Sequence, residues 1–271
     1  MKLKFSRIFF TLCAATALTA CSKVLEESRF DEFEMESADG STRKGGVYLP
    51  KGYNPKKEYP VIYMEDGLVF KDCQFSRMID SLIGIGAVRP VVIACSYENK
   101  LRVPGSSYAY RNAEYLESLA RSDAAFLKIF NAHLKYFQNS FMPYVEKNYS
   151  VSHERGDRIY FGTSNSADWG LTLSMKHPEL IGEYWCFSPV SSDLSTYGML
   201  TEPTQYRICW GAKEEVGNFD YFPSLVNSVQ KRGGRVSSWS FNGGHDREWW
   251  KYLFGEELKR RFPAGGNTDK Q

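Results

Sequence analysis

Five residues, Gly162-Thr163-Ser164-Asn165-Ser166, combine a hydroxyl nucleophile with small neighbours at the positions where a sharp turn needs them. They directly follow the apolar run 159–161 and directly precede a helical stretch. A nucleophilic serine needs this context, because a turn between strand and helix strains the serine and holds its hydroxyl above the sheet. The usual pattern is G-x-S-x-G, and Ser166 stands where its second glycine would be. The segment therefore predicts a nucleophile elbow around Ser164.

A serine hydroxyl becomes a useful nucleophile when a histidine removes its proton, and the chain contains four histidines. His133 lies on a predicted helix, His153 in a polar connector and His177 at a helix end, so each has a structural explanation. His245 differs, because two glycines precede it between the last predicted strand and the last predicted helix. We therefore predict that His245 is the general base.

The histidine in turn needs a carboxylate that fixes its tautomer, and this acid should follow a late strand. The segment Gly211-Ala212-Lys213-Glu214-Glu215 occupies that place. Glu214 is the predicted acid, with Glu215 as an open alternative and Asp193 and Asp220 as weaker ones. Serine, acid and histidine then follow one another in the chain order of α/β hydrolases.

The negative oxygen that forms during attack needs two backbone N–H donors. One should be the N–H of Asn165, directly after the nucleophile, and the other should come from the turn after the strand at 59–65. In that turn, Asp66-Gly67-Leu68, the glycine permits the bend and Leu68 is the predicted donor. Asp66 is expected to shape the turn.

The remaining pattern predicts an α/β fold with a mainly parallel central sheet and helices on both faces. Apolar, β-branched runs alternate with amphipathic segments, which is typical of β-α-β units. Strands are predicted near residues 29–37, 43–49, 59–65, 88–96, 158–163, 182–187, 206–211 and 235–241. Helices are predicted over 73–85, from Asp123 toward Tyr149 with a break at Pro143, and over 221–231 and 246–260.

The long connection at 97–122 follows the end of a strand, and loops of that length in compact domains are usually functional or disordered. Ligands of open α/β sheets bind at this edge. Tyr108, Tyr110, Arg111 and Tyr115 are therefore candidate substrate contacts, with aromatic packing of a surface loop as the alternative.

The first 20 residues read as a secretory signal, with a basic start, a short apolar core and the sequence Leu18-Thr19-Ala20-Cys21. Cys21 is the expected lipidation site, and its acyl chains would hold the protein at the membrane. Ser22 in place of an aspartate favours the outer membrane of a bacterial envelope. We expect a tether at 21–28, one domain at 29–262 and a disordered tail at 263–271.

Charge and cysteine usage exclude several partner classes. Removal of the three basic residues in the leader changes the formal charge from +2 to −1, so nucleic acid is not an expected partner. Cys73, Cys95, Cys186 and Cys209 resemble no metal motif, and no metal site is predicted. Buried free thiols are the expected state, although one disulfide is compatible with an oxidising envelope.

Several segments resemble the putative esterase family, which is similar to enterochelin esterases, esterase D and feruloyl or acetylxylan esterases. The resemblance lies in VYLPKGY at 47–53, YPVIYMEDG at 59–67, RNAEY at 111–115, FMPYVEKNY at 141–149 and GGH at 243–245. It implies a serine carboxylesterase without a cofactor, in which Ser164 is the nucleophile, His245 the base and Glu214 the acid. The family's elbow usually continues with two glycines, where this chain has Ser166 and Ala167.

Three functional hypotheses follow from these residues. The first is an esterase that hydrolyses a glycan acyl ester or a siderophore-type ester through an acyl-enzyme on Ser164. The second is a degenerate relative that binds a ligand without turnover, which the replaced glycines at Ser166 and Ala167 motivate. The third is acyl transfer to a sugar or lipid, which differs only in the nucleophile that resolves the acyl-enzyme.

Overall fold

Eight β-strands form one sheet within residues 24–37, 40–215 and 220–265, the part of the chain that this computed structural model describes. The strands are β1 (Arg29–Glu36), β2 (Thr42–Leu49), β3 (Val61–Met64), β4 (Val92–Ser96), β5 (Arg158–Thr163), β6 (Glu183–Phe187), β7 (Gln205–Gly211) and β8 (Arg235–Phe241). Their order is β1-β2-β4-β3-β5-β6-β7-β8. The β1–β2 and β2–β4 pairs are antiparallel, and all other neighbours are parallel. The predicted α/β-hydrolase fold with a mainly parallel sheet is confirmed.

The central strands are largely buried because helices cover both faces of the sheet. Every residue of β3, β4 and β6 is buried, as expected for parallel strands inside an α/β fold. Neighbouring residues of one strand enter different cores: Tyr160 of β5 packs on one side, whereas Ile159 and Phe161 pack on the other. This two-sided burial fixes the register, since a slip of one residue would exchange the faces.

The helices of the described ranges divide between the two faces of the sheet. They are α1 (Gly67–Asp72), α2 (Phe75–Gly84), α3 (Tyr110–Tyr115), α4 (Glu117–Ser122), α5 (Ala124–Tyr136), α6 (Met142–Asn148), α7 (Asn165–Lys176), α8 (Tyr221–Lys231) and α9 (Arg247–Arg261). Buried side chains of α1, α2 and α9 contribute to the core on one face, and those of α3 to α8 contribute to the core on the other.

The long helix predicted from Asp123 is not broken at Pro143. Asp123 caps α5 as expected, since its carboxylate accepts the Ala125 and Phe126 N–H groups. The chain then makes a π turn at Phe137–Phe141, in which the Met142 N–H donates to the carbonyl five residues earlier. Pro143 sits at the start of α6, where a missing N–H is tolerated.

The described parts of the two ends lie against the fold. The Leu25 N–H donates to the Tyr53 carbonyl, and Ser28 donates to Asp80. Residues 24–28 are therefore docked, which corrects the expectation of a tether for this part of 21–28. Pro263, at the start of the expected tail, bridges to Val88. The signal segment, Cys21 and residues 266–271 lie outside the described residues.

The cysteines have the state that the sequence predicted. The four cysteines at 73, 95, 186 and 209 are free thiols, and the last three are buried in strands. Within the described ranges, no helix combines the length and apolar character needed to cross a membrane.

Candidate active site

Ser164 occupies the turn between β5 and α7 with a backbone conformation that is rare for a side-chain-bearing residue. Its φ is 57° and its ψ is −129°, a strained region that persists only where surrounding contacts enforce it. The Ser164 N–H donates to the Phe187 carbonyl of β6 at 2.9 Å, and the Ser164 carbonyl accepts the Ala167 N–H at 2.9 Å. The sharp turn that the sequence predicted is therefore present at Ser164.

Gly162 and Ser166, at the two ends of the elbow, lie in close contact. A Cβ added at Gly162 would lie 2.4 Å from the Ser166 carbonyl oxygen, so this position requires glycine. Ser166 is fully buried, and its hydroxyl donates to the Thr163 carbonyl at 2.7 Å and accepts the Thr163 N–H at 2.9 Å. The extra hydroxymethyl group is thus accommodated and hydrogen-bonded inside the turn.

Three side chains from different loops form one hydrogen-bonded row. His245 Nε2 lies 2.9 Å from Ser164 Oγ, and His245 Nδ1 lies 3.0 Å from Glu214 Oε2. These distances are those of a nucleophile, its base and the acid that orients the base. The structure therefore brings together the three residues predicted from the sequence, in an arrangement that suits acyl transfer.

Close approach of the loops after β7 and β8 creates the contact between acid and base. Gly211 permits it, because an added Cβ there would lie 2.4 Å from the Gly243 carbonyl oxygen. That carbonyl accepts the Lys213 N–H at 2.9 Å, which ties the two loops together. On the other side of His245, the Asp246 carboxylate accepts the Glu248 N–H and caps α9. The histidine is thereby held between a fixed loop and a capped helix.

Glu214 is buried and charged, and its hydrogen bonds keep it so. Burial alone would raise the pKa of Glu214, but the hydrogen bonds from His245, Ser188 and the Gly211 N–H outweigh it, so the pKa lies below its usual value. The Ser188 hydroxyl donates to Glu214 Oε1 at 2.5 Å, and the Gly211 N–H donates to the same oxygen at 2.6 Å. Glu214 therefore remains an anion that can stabilise a protonated imidazole.

Sequence reasoning missed two residues that support this row. Ser188 directly follows β6, and its hydroxyl accepts the Trp250 indole N–H at 2.9 Å while it donates to Glu214. The Trp250 ring meets the His245 ring edge-on, with centroids 4.7 Å apart. The position of Ser188, at the carboxyl end of a predicted parallel strand, was the available signal.

The alternatives that the sequence left open lie elsewhere. Glu215 is exposed next to the Glu214 turn, and no bond joins it to His245, whereas Glu214 makes that contact. Asp193 interacts with Arg121 at the surface. Asp220 precedes α8 and accepts the Ser224 N–H through its backbone carbonyl.

Each of the other three histidines lies beside a glutamate other than Glu214. His133 is buried beside Glu65, with 3.1 Å between Nε2 and a carboxylate oxygen. His153 lies near Glu146, and His177 near Glu179.

The two predicted oxyanion donors have different surroundings. Asn165 is the first residue of α7, and an N–H at that position has no acceptor within its own helix. The Leu68 N–H, in contrast, donates to the Glu98 carboxylate at 3.2 Å. The turn that carries Leu68 begins at Asp66, whose φ of 57° is left-handed, and Asp66 forms a two-pronged ion pair with Arg111. Asp66 thus shapes the turn, as expected.

The candidate substrate contacts separate into one residue at the site and three that lie away from it. Arg111 lines a cavity of about 330 Å³ together with Ser164 and His245. Tyr115 is fully buried, and its hydroxyl donates to Glu65. The prediction of Tyr115 as a substrate contact is therefore wrong, because its ring belongs to the core.

The other two tyrosines of the connection lie outside the Ser164 cavity. The Tyr108 ring packs edge-on against Phe126, with 5.8 Å between centroids. Tyr110 borders a neighbouring cleft.

Comparison with known proteins decides the family. A model described as "Esterase: Putative esterase" matches residues 37–261, which span β2 to β8. The chain belongs to this esterase family. As a member it is a carboxylic ester hydrolase, and the predicted family resemblance is confirmed.

Solved structures share the fold of this esterase at low sequence identity. A ferulic acid esterase from Anaeromyces mucronatus is 19% identical with a TM-score of 0.66, covering 89% of this chain and 93% of that one. A feruloyl esterase module from Clostridium thermocellum is 14% identical with a TM-score of 0.64, covering 91% and 92%. An S-formylglutathione hydrolase from Staphylococcus aureus is 9% identical with a TM-score of 0.60, covering 87% and 97%.

Proposed function

We propose that this esterase hydrolyses its substrate through an acyl-enzyme on Ser164. The observation that carries the proposal is the hydrogen-bonded row of Ser164, His245 and Glu214, with Glu214 buried and anionic. A serine beside a free imidazole is common on protein surfaces. A strained serine, an oriented imidazole and a buried carboxylate together are what nucleophilic catalysis requires.

The reaction follows from these positions in two halves. His245 Nε2 takes the proton of Ser164 Oγ as that oxygen attacks the ester carbonyl carbon, and the carbonyl oxygen becomes an oxyanion. The Asn165 and Leu68 N–H groups are the donors for that oxyanion. Its collapse breaks the ester C–O bond, and the leaving alcohol takes the proton from His245. Water then repeats the sequence on the acyl-enzyme, which releases the acid and regenerates Ser164.

The geometry of the elbow supports turnover over ligand binding alone. The hypothesis of a degenerate relative depends on Ser166 and Ala167 disturbing the turn. Both residues are fully buried, and the Ser166 hydroxyl is satisfied by the Thr163 backbone. Ser164 retains its contact with His245. Nothing in the arrangement of these side chains removes a reacting group.

For the substrate, we propose an aromatic acyl ester on a glycan, with a siderophore-type ester as the second candidate. Structural relatives named as ferulic acid and feruloyl esterases support the first. Acyl transfer to a sugar or lipid would use the same acyl-enzyme. Adding an alcohol acceptor during turnover distinguishes transfer from hydrolysis, because a transferase forms a new ester in place of the free acid.

For the location, we propose that a lipid on Cys21 holds the esterase at the outer membrane, with no other membrane contact and no nucleic-acid partner. The sequence around Cys21 and the formal charge of −1 without the leader support this proposal.

Covalent labelling tests the acyl-enzyme directly. A fluorophosphonate probe should label the purified full chain and should fail to label Ser164→Ala, because the probe reacts with an activated serine oxygen. Ser166→Gly serves as the matched control, since it changes the neighbouring serine to the usual family residue and should label like the parent. Equal labelling of the parent and Ser164→Ala would place the nucleophile elsewhere.

A further inference from the structure

The buried carboxylate of Glu98 accepts a hydrogen bond from Leu68, one of the two N–H donors that the oxyanion needs. Glu98 follows β4, and its side chain is only 3% exposed. Its Oε2 accepts the Leu68 N–H at 3.2 Å, and its Oε1 lies 3.1 Å from the Lys100 ammonium. Glu98 also lines the cavity that contains Ser164 and His245. The predicted oxyanion donor is therefore already engaged by an anion of the same chain.

This contact opposes the chemistry at Ser164 in two ways. An oxyanion hole works because its donors are aimed at the developing charge, and Leu68 instead donates to Glu98. The Glu98 carboxylate also brings a negative charge close to the position where the oxyanion forms, and like charges repel. Removal of one oxyanion donor typically lowers turnover on the order of 10² to 10³-fold. Esters that leave Glu98 in place should therefore react slowly.

The basic side chains near Glu98 hold its carboxylate only weakly. Lys100 is 63% exposed, so solvent screens its ion pair with Glu98. Arg111 is committed to Asp66 by two hydrogen bonds. Burial, and then the charge of Asp66, raise the pKa of Glu98. The titratable or charged groups that face Glu98 or line either cavity that it borders are Arg43, Lys44, Asp66, Cys95, Tyr97, Lys100, Tyr110, Arg111, Glu114, His245 and Arg247.

Glu98 lines both the cavity at the nucleophile and a larger neighbouring cleft. The cavity at Ser164 measures about 330 Å³, whereas the neighbouring cleft measures about 730 Å³. Glu98 borders both of them. Apolar side chains contribute to the larger cleft, among them Leu68, Tyr97, Leu101, Tyr110 and Ile129. Glu98 is a wall residue that the two cavities share, so an acyl group that extends from one into the other contacts its side chain.

We propose that Glu98 determines which esters this enzyme accepts, by occupying the Leu68 N–H until an apolar acyl group enters the neighbouring cleft. An acyl group long enough to reach the cleft displaces the carboxylate as it binds, and the ester carbonyl then takes the Leu68 N–H. A short acyl group leaves Glu98 in place and meets an incomplete oxyanion hole. This inference rests on the proposed acyl-enzyme function and adds a size preference to it.

The test compares two esters with the same leaving group, p-nitrophenyl acetate and p-nitrophenyl hexanoate, on the purified full chain and on Glu98→Ala. We expect kcat for the acetate to rise on the order of tenfold in Glu98→Ala, because the substitution frees the Leu68 N–H. For the hexanoate, kcat should change little. An equal rise with both esters, or no rise with either, overturns the proposal.

Two further variants separate charge from occupancy. Glu98→Gln keeps an oxygen that can accept the Leu68 N–H, so its acetate rate should rise less than that of Glu98→Ala. Glu98→Gln also preserves the shape of the site if the alanine variant folds poorly. Compared with the parent, Glu98→Gln should bind more tightly to a boronic acid that forms a tetrahedral adduct on Ser164. Glu248→Gln removes an exposed carboxylate on α9 and should leave both rates unchanged. Weaker boronic acid binding by Glu98→Gln overturns the proposal.

The pH dependence adds a readout that a purely structural role of Glu98 would not change. Because the pKa of Glu98 is raised, the carboxyl becomes neutral as the pH falls, and its opposition to the oxyanion weakens. The ratio of the Glu98→Ala rate to the parent rate with acetate should therefore shrink toward acid pH. A constant ratio contradicts the proposal. Failure of the proposed acyl-enzyme function is distinguishable, because the parent would then hydrolyse neither ester, or Ser164→Ala would hydrolyse them as the parent does.

Discussion

At the residue scale, one turn decides which of two adjacent glutamates can serve as the acid. The Glu214 N–H donates to the Gly211 carbonyl, which closes a tight turn after β7. Glu214 then points inward, with a fully buried carboxylate, while Glu215 is exposed. The sequence predicted Glu214 but left Glu215 open as an alternative, because both residues follow the strand and only the turn geometry separates them.

Substitution of the two glutamates by their amides tests this assignment. Glu214→Gln should lower kcat about 10⁴-fold, because the amide no longer fixes the tautomer of His245 or stabilises the imidazolium. Glu215→Gln is the matched control and should keep the parent rate. Steady-state hydrolysis of a p-nitrophenyl ester measures both variants. A larger loss in Glu215→Gln than in Glu214→Gln would contradict the account.

At the element scale, buried strands were the most predictable part of the fold. Seven of the eight strands lie within two residues of their predicted starts and ends, and β4 begins at Val92 where the prediction began at 88. Apolar runs of this kind have few alternatives once helices cover both faces. The predicted positions of Ser164 and His245 follow from those strands, because each residue lies next to a strand end.

Short helices and contacts between loops were not predictable. Helix α1 was missed, and so were α3 and α4 in the connection 97–122. Each has six residues, too few to be stable without tertiary packing, so local sequence carries little signal for them. The contact of Glu98 with Leu68 joins the loop after β4 to the short helix α1, across 30 positions of sequence. Tyr115 was misjudged for the same reason, since the packing of α3 buries it.

The close packing of Gly162 in the elbow can be tested without changing a reacting group. Gly162→Ala should destabilise the fold by about 1 to 3 kcal/mol, because its Cβ collides with the Ser166 backbone and the turn must shift. Activity should fall with it, since Ser164 would move relative to His245. Thermal unfolding and ester hydrolysis measure the two effects.

Gly156→Ala is the matched control for this prediction. No atom lies within 4 Å of the position of its added Cβ. It should leave activity unchanged and alter stability little. If Gly162→Ala behaves like Gly156→Ala, the elbow is less tightly packed than the structure shows.

At the scale of the whole molecule, the docked amino-terminal segment and the active site lie at opposite ends of the parallel strands. Leu25 is bonded to Tyr53, whose hydroxyl accepts the Ser150 N–H. Tyr59 in turn accepts the Ser152 N–H, just ahead of the starts of β3 and β5. Ser164 and His245 follow the other ends of their strands. A lipid on Cys21 could be at most about 14 Å of extended chain from Leu25, so the catalytic edge would face away from the membrane.

Substitution of the lipidation site tests the proposed anchor. In a bacterial host, the parent should incorporate labelled palmitate and fractionate with the outer membrane, whereas Cys21→Ser should do neither. The catalytic edge is remote from this end, so detergent-solubilised parent and Cys21→Ser should hydrolyse a p-nitrophenyl ester at equal rates. Palmitate labelling that persists in Cys21→Ser would rule out this anchor.

Hydrolysis of p-nitrophenyl hexanoate by the purified full chain and by Ser164→Ala tests the central claim most directly. If Ser164 is the nucleophile oriented by His245 and Glu214, its loss should lower kcat on the order of a millionfold while the fold remains intact by circular dichroism. Turnover by Ser164→Ala at a rate comparable to the parent would contradict the account, because the acyl-enzyme could not then form on this serine.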